Sequence, residues 1–278
     1  MVTSRKKPKK AASPRARFNG LFSVCVVLTA TLTVSCWRPI TPVEADCDVG
    51  IWTGTGSFAP SVRATFEAVR VSGFTFDTLT TAELVGNDAS EKTIYRYKAI
   101  IFPGGDQREY SEYLGSAGRA IIREYVADGG GYIGFGAGGG LAGADSLSWP
   151  GIGIIGASTD YPVVQIATPP AHTLTDVSRG ENSGPIHGDN GYRSTYNGGP
   201  QFFPYTNYQL WTTYRYNVTG TASAMTGEYH AGRVFVTGFQ PELEEGLMRD
   251  STSFADEFPD PETEWDLIRR AIAYCTSR

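Results

Sequence analysis

Gly134-Phe135-Gly136-Ala137-Gly138 has the spacing of a nucleophile corner. In such strand–turn–helix corners a Gly-x-nucleophile-x-Gly run holds a reactive side chain exposed, and the glycines permit the tight turn. Here the central residue is Gly136, so the corner is kept and the nucleophile is not. Gly138-Gly139-Gly140 follows, where backbone N–H groups at a helix start could cradle an anion. Close backbone packing is the competing account. Three histidines are present. His187, with Asp189 beside it, reads either as an acid–base group tuned by the carboxylate or as a solvated loop residue. His172 and His230 read as structural or exposed. Asp106 follows Pro103-Gly104-Gly105 and precedes Arg108, Glu109 and Tyr110. It reads either as a substrate-binding carboxylate or as a turn-capping Asp. No Cys/His cluster has metal-ligand spacing, and no cofactor is expected.

The elements that must position these residues follow from periodicity. Val49 to Trp52 and Phe74 to Leu79 read as strands, with a helix over Ser61 to Arg70 between them. Ala99 to Phe102 is a continuous apolar run, the mark of a strand buried on both faces of a parallel sheet. Gly118 to Asp128 carries an Ile121, Ile122, Tyr125, Val126 stripe and stops at Gly129, as a helix should. Tyr132 to Phe135 is the next strand. Crossovers of this length predict a doubly wound parallel sheet, with ligands outside the carboxyl ends of its strands. The Pro103-Gly104-Gly105-Asp106 loop and the Gly136 corner should then share one crevice. After Trp149 the pattern changes to short antiparallel strands, at Ile152–Ile155, Val163–Ile166, Tyr196–Phe203, Tyr208–Tyr216, Ala222–Met225 and Arg233–Val236. A last helix should be capped at Asp260-Pro261, with Trp265, Ile268, Ile272 and Cys275 at helical spacing. The aromatic density from Tyr192 to Tyr216 reads as core packing or as a stacking surface.

The chain has 278 residues and a net charge of −5, which gives no footprint for nucleic acid. Its basic residues cluster at the N-terminus, ahead of an apolar stretch over Leu21 to Val34 that is short for a spanning helix. Val43-Glu44-Ala45 offers a signal-peptidase site, Cys36 offers a lipidation site, and an uncleaved anchor is the third option. Each places the body outside the cytoplasm, secreted or membrane-anchored, with the membrane engaged only through this segment. The expected division is a leader over 1–45 and one domain over 46–278. Cys47 and Cys275 bracket that domain and read as a disulfide or as two buried free thiols.

Phe102-Pro103-Gly104-Gly105-Asp106, Tyr110, Ile122-Arg123-Glu124-Tyr125-Val126, the Gly129 to Phe135 run, Tyr196-Asn197-Gly198-Gly199-Pro200, Gly232-Arg233-Val234 and Pro241-Glu242-Leu243 occur in that order. Together they resemble the biotin-protein ligase N-terminal domain family, within the class I glutamine amidotransferase-like superfamily. The resemblance covers nearly all of the body. It implies an α/β fold, a flavodoxin-like three-layer sandwich with a mostly parallel sheet, joined here to an antiparallel β-rich C-terminal half. It does not imply biotin ligation, because nothing in the chain matches the ligase catalytic domain. The superfamily hydrolyses amides with a Cys, His, Glu triad. The Cys position falls on Gly136, the His position on Gln240 and the Glu position on Glu242, with backbone donors near Gly105 and Ala137. Glycine cannot attack a carbonyl and glutamine cannot act as general base near neutral pH. The expectation is a non-catalytic protein that binds a small molecule or a protein partner in an emptied, enlarged elbow crevice. Its expected binding residues are Gly104, Gly105, Asp106, Tyr110, Ala137, His187, Tyr196 and Asn197. The alternatives are a hydrolase of altered chemistry, acting on an amide or ester through a bound water with Asp106, His187 or Glu242 as base, and a structural cell-envelope component.

Overall fold

The computed structural model describes residues 45–84, 93–144, 149–180, 182–186, 191–205, 208–246 and 248–277. The expected leader before Ala45 and the expected site residues His187 and Asp189 lie outside them. In chain order the elements are β1 (Cys47–Trp52), α1 (Ala59–Val71), β2 (Phe76–Leu79), α2 (Thr81–Leu84), β3 (Tyr97–Phe102), α3 (Gln107–Ala127), β4 (Gly131–Gly134) and α4 (Ala137–Leu141). Then come β5 (Ala157–Asp160), β6 (Thr173–Arg179), β7 (Tyr192–Tyr196), β8 (Gln201–Pro204), β9 (Leu210–Tyr216), β10 (Ala222–Tyr229), β11 (Gly232–Thr237) and α5 (Trp265–Thr276).

These strands form one 11-stranded sheet in the order β2-β1-β3-β4-β11-β10-β9-β6-β7, with β8 pairing β10 and β5 pairing β8. From β2 to β11 the neighbours are parallel. From β11 onward every pairing is antiparallel. The changeover has a local cause. β10 and β11 are joined through His230 and Ala231, a connection long enough only for a hairpin, and His230 takes the positive φ of 53° that such a turn uses. The expected mostly parallel sheet is therefore corrected: the sheet is mixed and, counted over its pairings, mostly antiparallel.

The parallel half is covered on both faces. On β3, Ile100 and Phe102 join a core with Ile122, Tyr125 and Val126 of α3, while Ala99 and Ile101 face Ala68 and Val69 of α1 and Ile268 and Ile272 of α5. Alternate residues of a strand point to opposite faces, so a run apolar at every position must be sandwiched. Trp52, Phe102 and Tyr132 stack across three adjacent strands, with ring centroids 5.2 and 5.6 Å apart.

Several expectations are corrected. The α3 helix begins at Gln107, not Gly118, and is interrupted at Gly115, where φ is 58°. Ile152–Ile155 and Val163–Ile166 are not strands, whereas the polar segments of β5 and β6 are. The cap of α5 is Glu264, not Asp260. Cys47 and Cys275 are both free and buried. They belong to different core clusters, and their thiols donate instead to the carbonyls of Val49 and Tyr132, each at 3.6 Å. That corrects the disulfide reading. Among the described residues no helix is long and apolar enough to cross a membrane.

Candidate functional site

The carboxyl ends of β3, β4 and β11 meet at Gly136. It has φ 50° and ψ −113°, a left-handed conformation open to glycine, and caps the five-residue α4. The glycines around it are there for contact. A Cβ on Gly138 would overlap Phe102 O, one on Gly139 would overlap Thr237 O, and one on Gly140 would overlap Gln107 Oε1. Close packing is thus the reason for the triple glycine, and the anion-cradle reading loses its support.

The loop after β11 brings Gln240 onto the corner. A Cβ on Gly136 would fall inside the envelope of Gln240 Nε2 and 3.3 Å from its Cδ. Gln240 Oε1 accepts from Asn197 N at 2.8 Å, Nε2 donates to Asn197 O at 3.5 Å, and its backbone N donates to Thr195 O at 2.9 Å. The amide therefore lies in the space a nucleophile would use and is tied to the end of β7. Gly136 and Ala137 are buried, and Gln240 is 2% exposed. The expected enlarged pocket is corrected to a filled one. Three cavities of about 520–540 Å³ lie away from Gly136, beside Tyr192 and Asp260, beside Trp265 and Arg269, and beside Trp211 and Tyr274.

Glu242 is fully buried two residues on. Its Oε1 accepts from Ser61 Oγ of α1, and the Ser61 hydroxyl oxygen in turn accepts from Gly104 N at 2.7 Å. Its Oε2 has no hydrogen-bond partner among the described residues. Burial pushes its carboxyl up to about 8, against the lowering effect of the Ser61 hydroxyl. At neutral pH Glu242 is largely a neutral acid bracing the Pro103–Gly105 loop through Ser61.

The other expected residues sort into braces and rim. Asp106 caps α3, accepting from Arg108 N at 2.8 Å and Glu109 N at 3.1 Å, so the capping account applies. Tyr110 is fully buried and its hydroxyl donates to Pro103 O at 3.1 Å. Tyr196 is likewise buried, with its hydroxyl between Val163 and Gly199. Gly104 lies 3.4 Å, Cβ position to atom, from both Gln240 Cγ and Glu242 Oε1. Gly105 is half-buried, and neither its amide nor that of Ala137 has an acceptor among the described residues. Gly105, Asp106 and Asn197 keep some exposure and form the rim over the plugged corner. His172 pairs with Glu257 at 2.6 Å and packs on Phe254, and His230 sits in the exposed hairpin turn. Sequence reasoning missed Ser61, because its contact with Glu242 spans 181 positions and leaves no local trace.

This arrangement of corner, loop and acid can be compared with known proteins. The family described as biotin-protein ligase, N terminal, matches residues 47–148. The parallel half of the chain carries that family's signature. The match spans β1 to α4 and stops short of the Gln240-Pro241-Glu242 loop, so the likeness over the rest of the chain is one of fold. A glutamine amidotransferase from Thermotoga maritima superposes with a TM-score of 0.57 at 13% identity, covering 84% of this chain and 99% of that one. A cytoplasmic protein from Salmonella typhimurium gives 0.53 at 13% identity, with 82% and 98% covered, and a second from Salmonella typhimurium LT2 gives 0.52 at 11%, with 82% and 99% covered. No curated protein matches the chain. The family match includes the Gly136 corner, and the superpositions show an amidotransferase-like fold over most of the chain.

Proposed function

We propose that the protein is an extracytoplasmic, amidotransferase-like binding protein without amidase activity, its flavodoxin-like parallel half retained as a scaffold. The observation that carries this reading is the seating of Gln240 in the space above Gly136, the position where the resemblance implies a nucleophile. Neither residue supplies a nucleophile or a base, and removing triad members costs orders of magnitude in rate. The N-terminal charge and hydropathy pattern supports the extracytoplasmic placement.

The rim offers what a small ligand or a protein partner would engage: the unpaired Gly105 amide, the Asp106 carboxylate at the head of α3, and Asn197. Hydrolysis through a bound water is less well supported. Glu242 is sealed from solvent and Asp106 is committed to its cap. The test is turnover of glutamine and of an amide and ester panel by purified protein. No release above buffer is expected. Release that disappears in Glu242→Gln would overturn the non-catalytic reading. Chemical-shift changes at Gly105 and Asn197 on ligand screening would support binding at the rim.

A further inference from the structure

The loop that carries the plug is built on buried acids. Pro241 to Gly246 contains Glu242, Glu244 and Glu245, all with no exposed surface, and Glu264, equally buried, packs in from the start of α5. Among the described residues both carboxylate oxygens of Glu264 are without a hydrogen bond, as is one oxygen each of Glu242 and Glu245. Asp250 and Asp260 complete the cluster, with Asp256 beside Asp250. Among the described residues Arg249 reaches it, paired with Glu244 at 2.6 Å, while the exposed Arg193, paired with Asp176 at 2.9 Å, acts on Asp260 only through its field. Among the described residues no three of these groups converge as a metal shell.

We propose that this cluster is a proton-operated latch, which holds the Gln240 plug over Gly136 while its carboxyls are protonated and releases it when they ionise. The connection is direct. Glu245 Oε1 accepts from Thr195 Oγ1 at 2.6 Å, and Thr195 O accepts from Gln240 N at 2.9 Å. At the other end of the loop Glu242 holds Ser61, which holds Gly104 N, and Glu242 O accepts from Trp265 Nε1 at 3.1 Å. Charging Glu245 and Glu264 together sets two unscreened like charges against each other behind the loop. The relief is outward movement of Pro241–Gly246, which takes Gln240 with it.

The sign follows from burial. Desolvation pushes Glu264 well up, with Glu245 and Glu244 adding to it, and holds Glu245 at about 7 and Glu242 at about 8. Glu244 and Asp250 are raised for the same cause. The folded state therefore binds more protons than the unfolded one above the ordinary carboxylate range. Latch stability is full below the ordinary carboxylate range, falls as pH rises above it and is lost by about 7 to 8. The inference concerns the plug and stands whether or not the rim binds a ligand.

The experiment is residue-resolved hydrogen exchange of the full chain at pH 5.5 and 8.5, corrected for intrinsic rates and run alongside thermal melts. The amides of Asn197 and Gly104, bonded to the Gln240 and Ser61 side chains, are the reporters. Their protection is expected to fall by about tenfold or more at the higher pH, the scale of a one-unit pKa shift. In Glu264→Gln and, independently, Glu245→Gln, that pH dependence should flatten. Equal protection at both pH values would overturn the proposal, as would an unchanged dependence in both variants. Restoration of protection at pH 8.5 by calcium ion would also overturn it, since the cluster would then be a cation site.

Discussion

A methyl group at Gly136 measures how firmly the plug is seated. Gly136→Ala incurs two separate penalties: a left-handed φ of 50° for a residue with a Cβ, about 1–2 kcal/mol, and overlap with Gln240 Nε2, an overpacking term of about 1–3 kcal/mol. Gln240→Ala removes the overlap partner but leaves Asn197 N without its acceptor, at a cost of about 1–3 kcal/mol. In the double variant the conformational and hydrogen-bond costs remain and the overlap is gone. The double variant should therefore be more stable than the sum of the singles predicts by about 1–3 kcal/mol, outside the ~0.5 kcal/mol scatter of independent sites. Urea unfolding of all four proteins, with slopes checked for equality, gives the coupling directly. Additivity within that scatter would mean that Gln240 swings away freely, and the filled-corner argument would fall with it.

Other expectations concern the same neighbourhood. Gly138→Ala should destabilise the fold more than Gly220→Ala in a thermal melt, because its Cβ would meet backbone at Phe102 O whereas Gly220 faces open space and adds only the strain of its φ of 67°. Ser61→Ala strips the hydroxyl from Glu242 Oε1 and Gly104 N together; a loss of about 1–3 kcal/mol is expected, and Glu242 should titrate higher still in carboxyl-resolved NMR. Asp106→Ala should cost about 0.5–2 kcal/mol as a lost helix cap, with Asp106→Asn recovering most of it in chemical denaturation. Peptide mapping after alkylation should find Cys47 and Cys275 modified only once the protein is unfolded, since both thiols are buried.

What was legible in the sequence was whatever rests on local periodicity. Ala99–Phe102 and Tyr132–Phe135 announced a doubly covered sheet, and the Gly136 corner and its Gln240 counterpart were readable from spacing and resemblance. The first half of α3 was hidden, because Arg108, Glu109 and Glu112 face solvent and Gly115 breaks the turn. The strands β5 and β6 were hidden by composition. Ala-Ser-Thr-Asp and Thr-Leu-Thr-Asp-Val-Ser-Arg carry little apolar alternation, and their pairing comes from partners elsewhere in the sheet. Conversely, Ile152, Ile154 and Ile155 are core residues held in an irregular segment by bonds to Leu141 and Ala142. The acid cluster was the deepest miss. Only Glu242 was singled out, by resemblance; the burial of Glu244 and Glu245 beside it depends on α1, β7 and α5 closing around the loop.

The pairing of β4 with β11 makes the molecule indivisible. β4 ends at Gly134, and the strand completing its hydrogen bonds begins at Gly232, on the far side of the whole antiparallel half. The helix that covers Ile133 and Phe135 comes later still, at Trp265–Thr276. A chain cut after the stretch bearing the family signature would end with a raw sheet edge and an uncovered apolar face, the combination that drives strands of separate molecules together. The family match over residues 47–148 thus stops before the strand and the helix that complete its own sheet. The parallel half cannot be completed until the chain emerging behind it has supplied both β11 and α5.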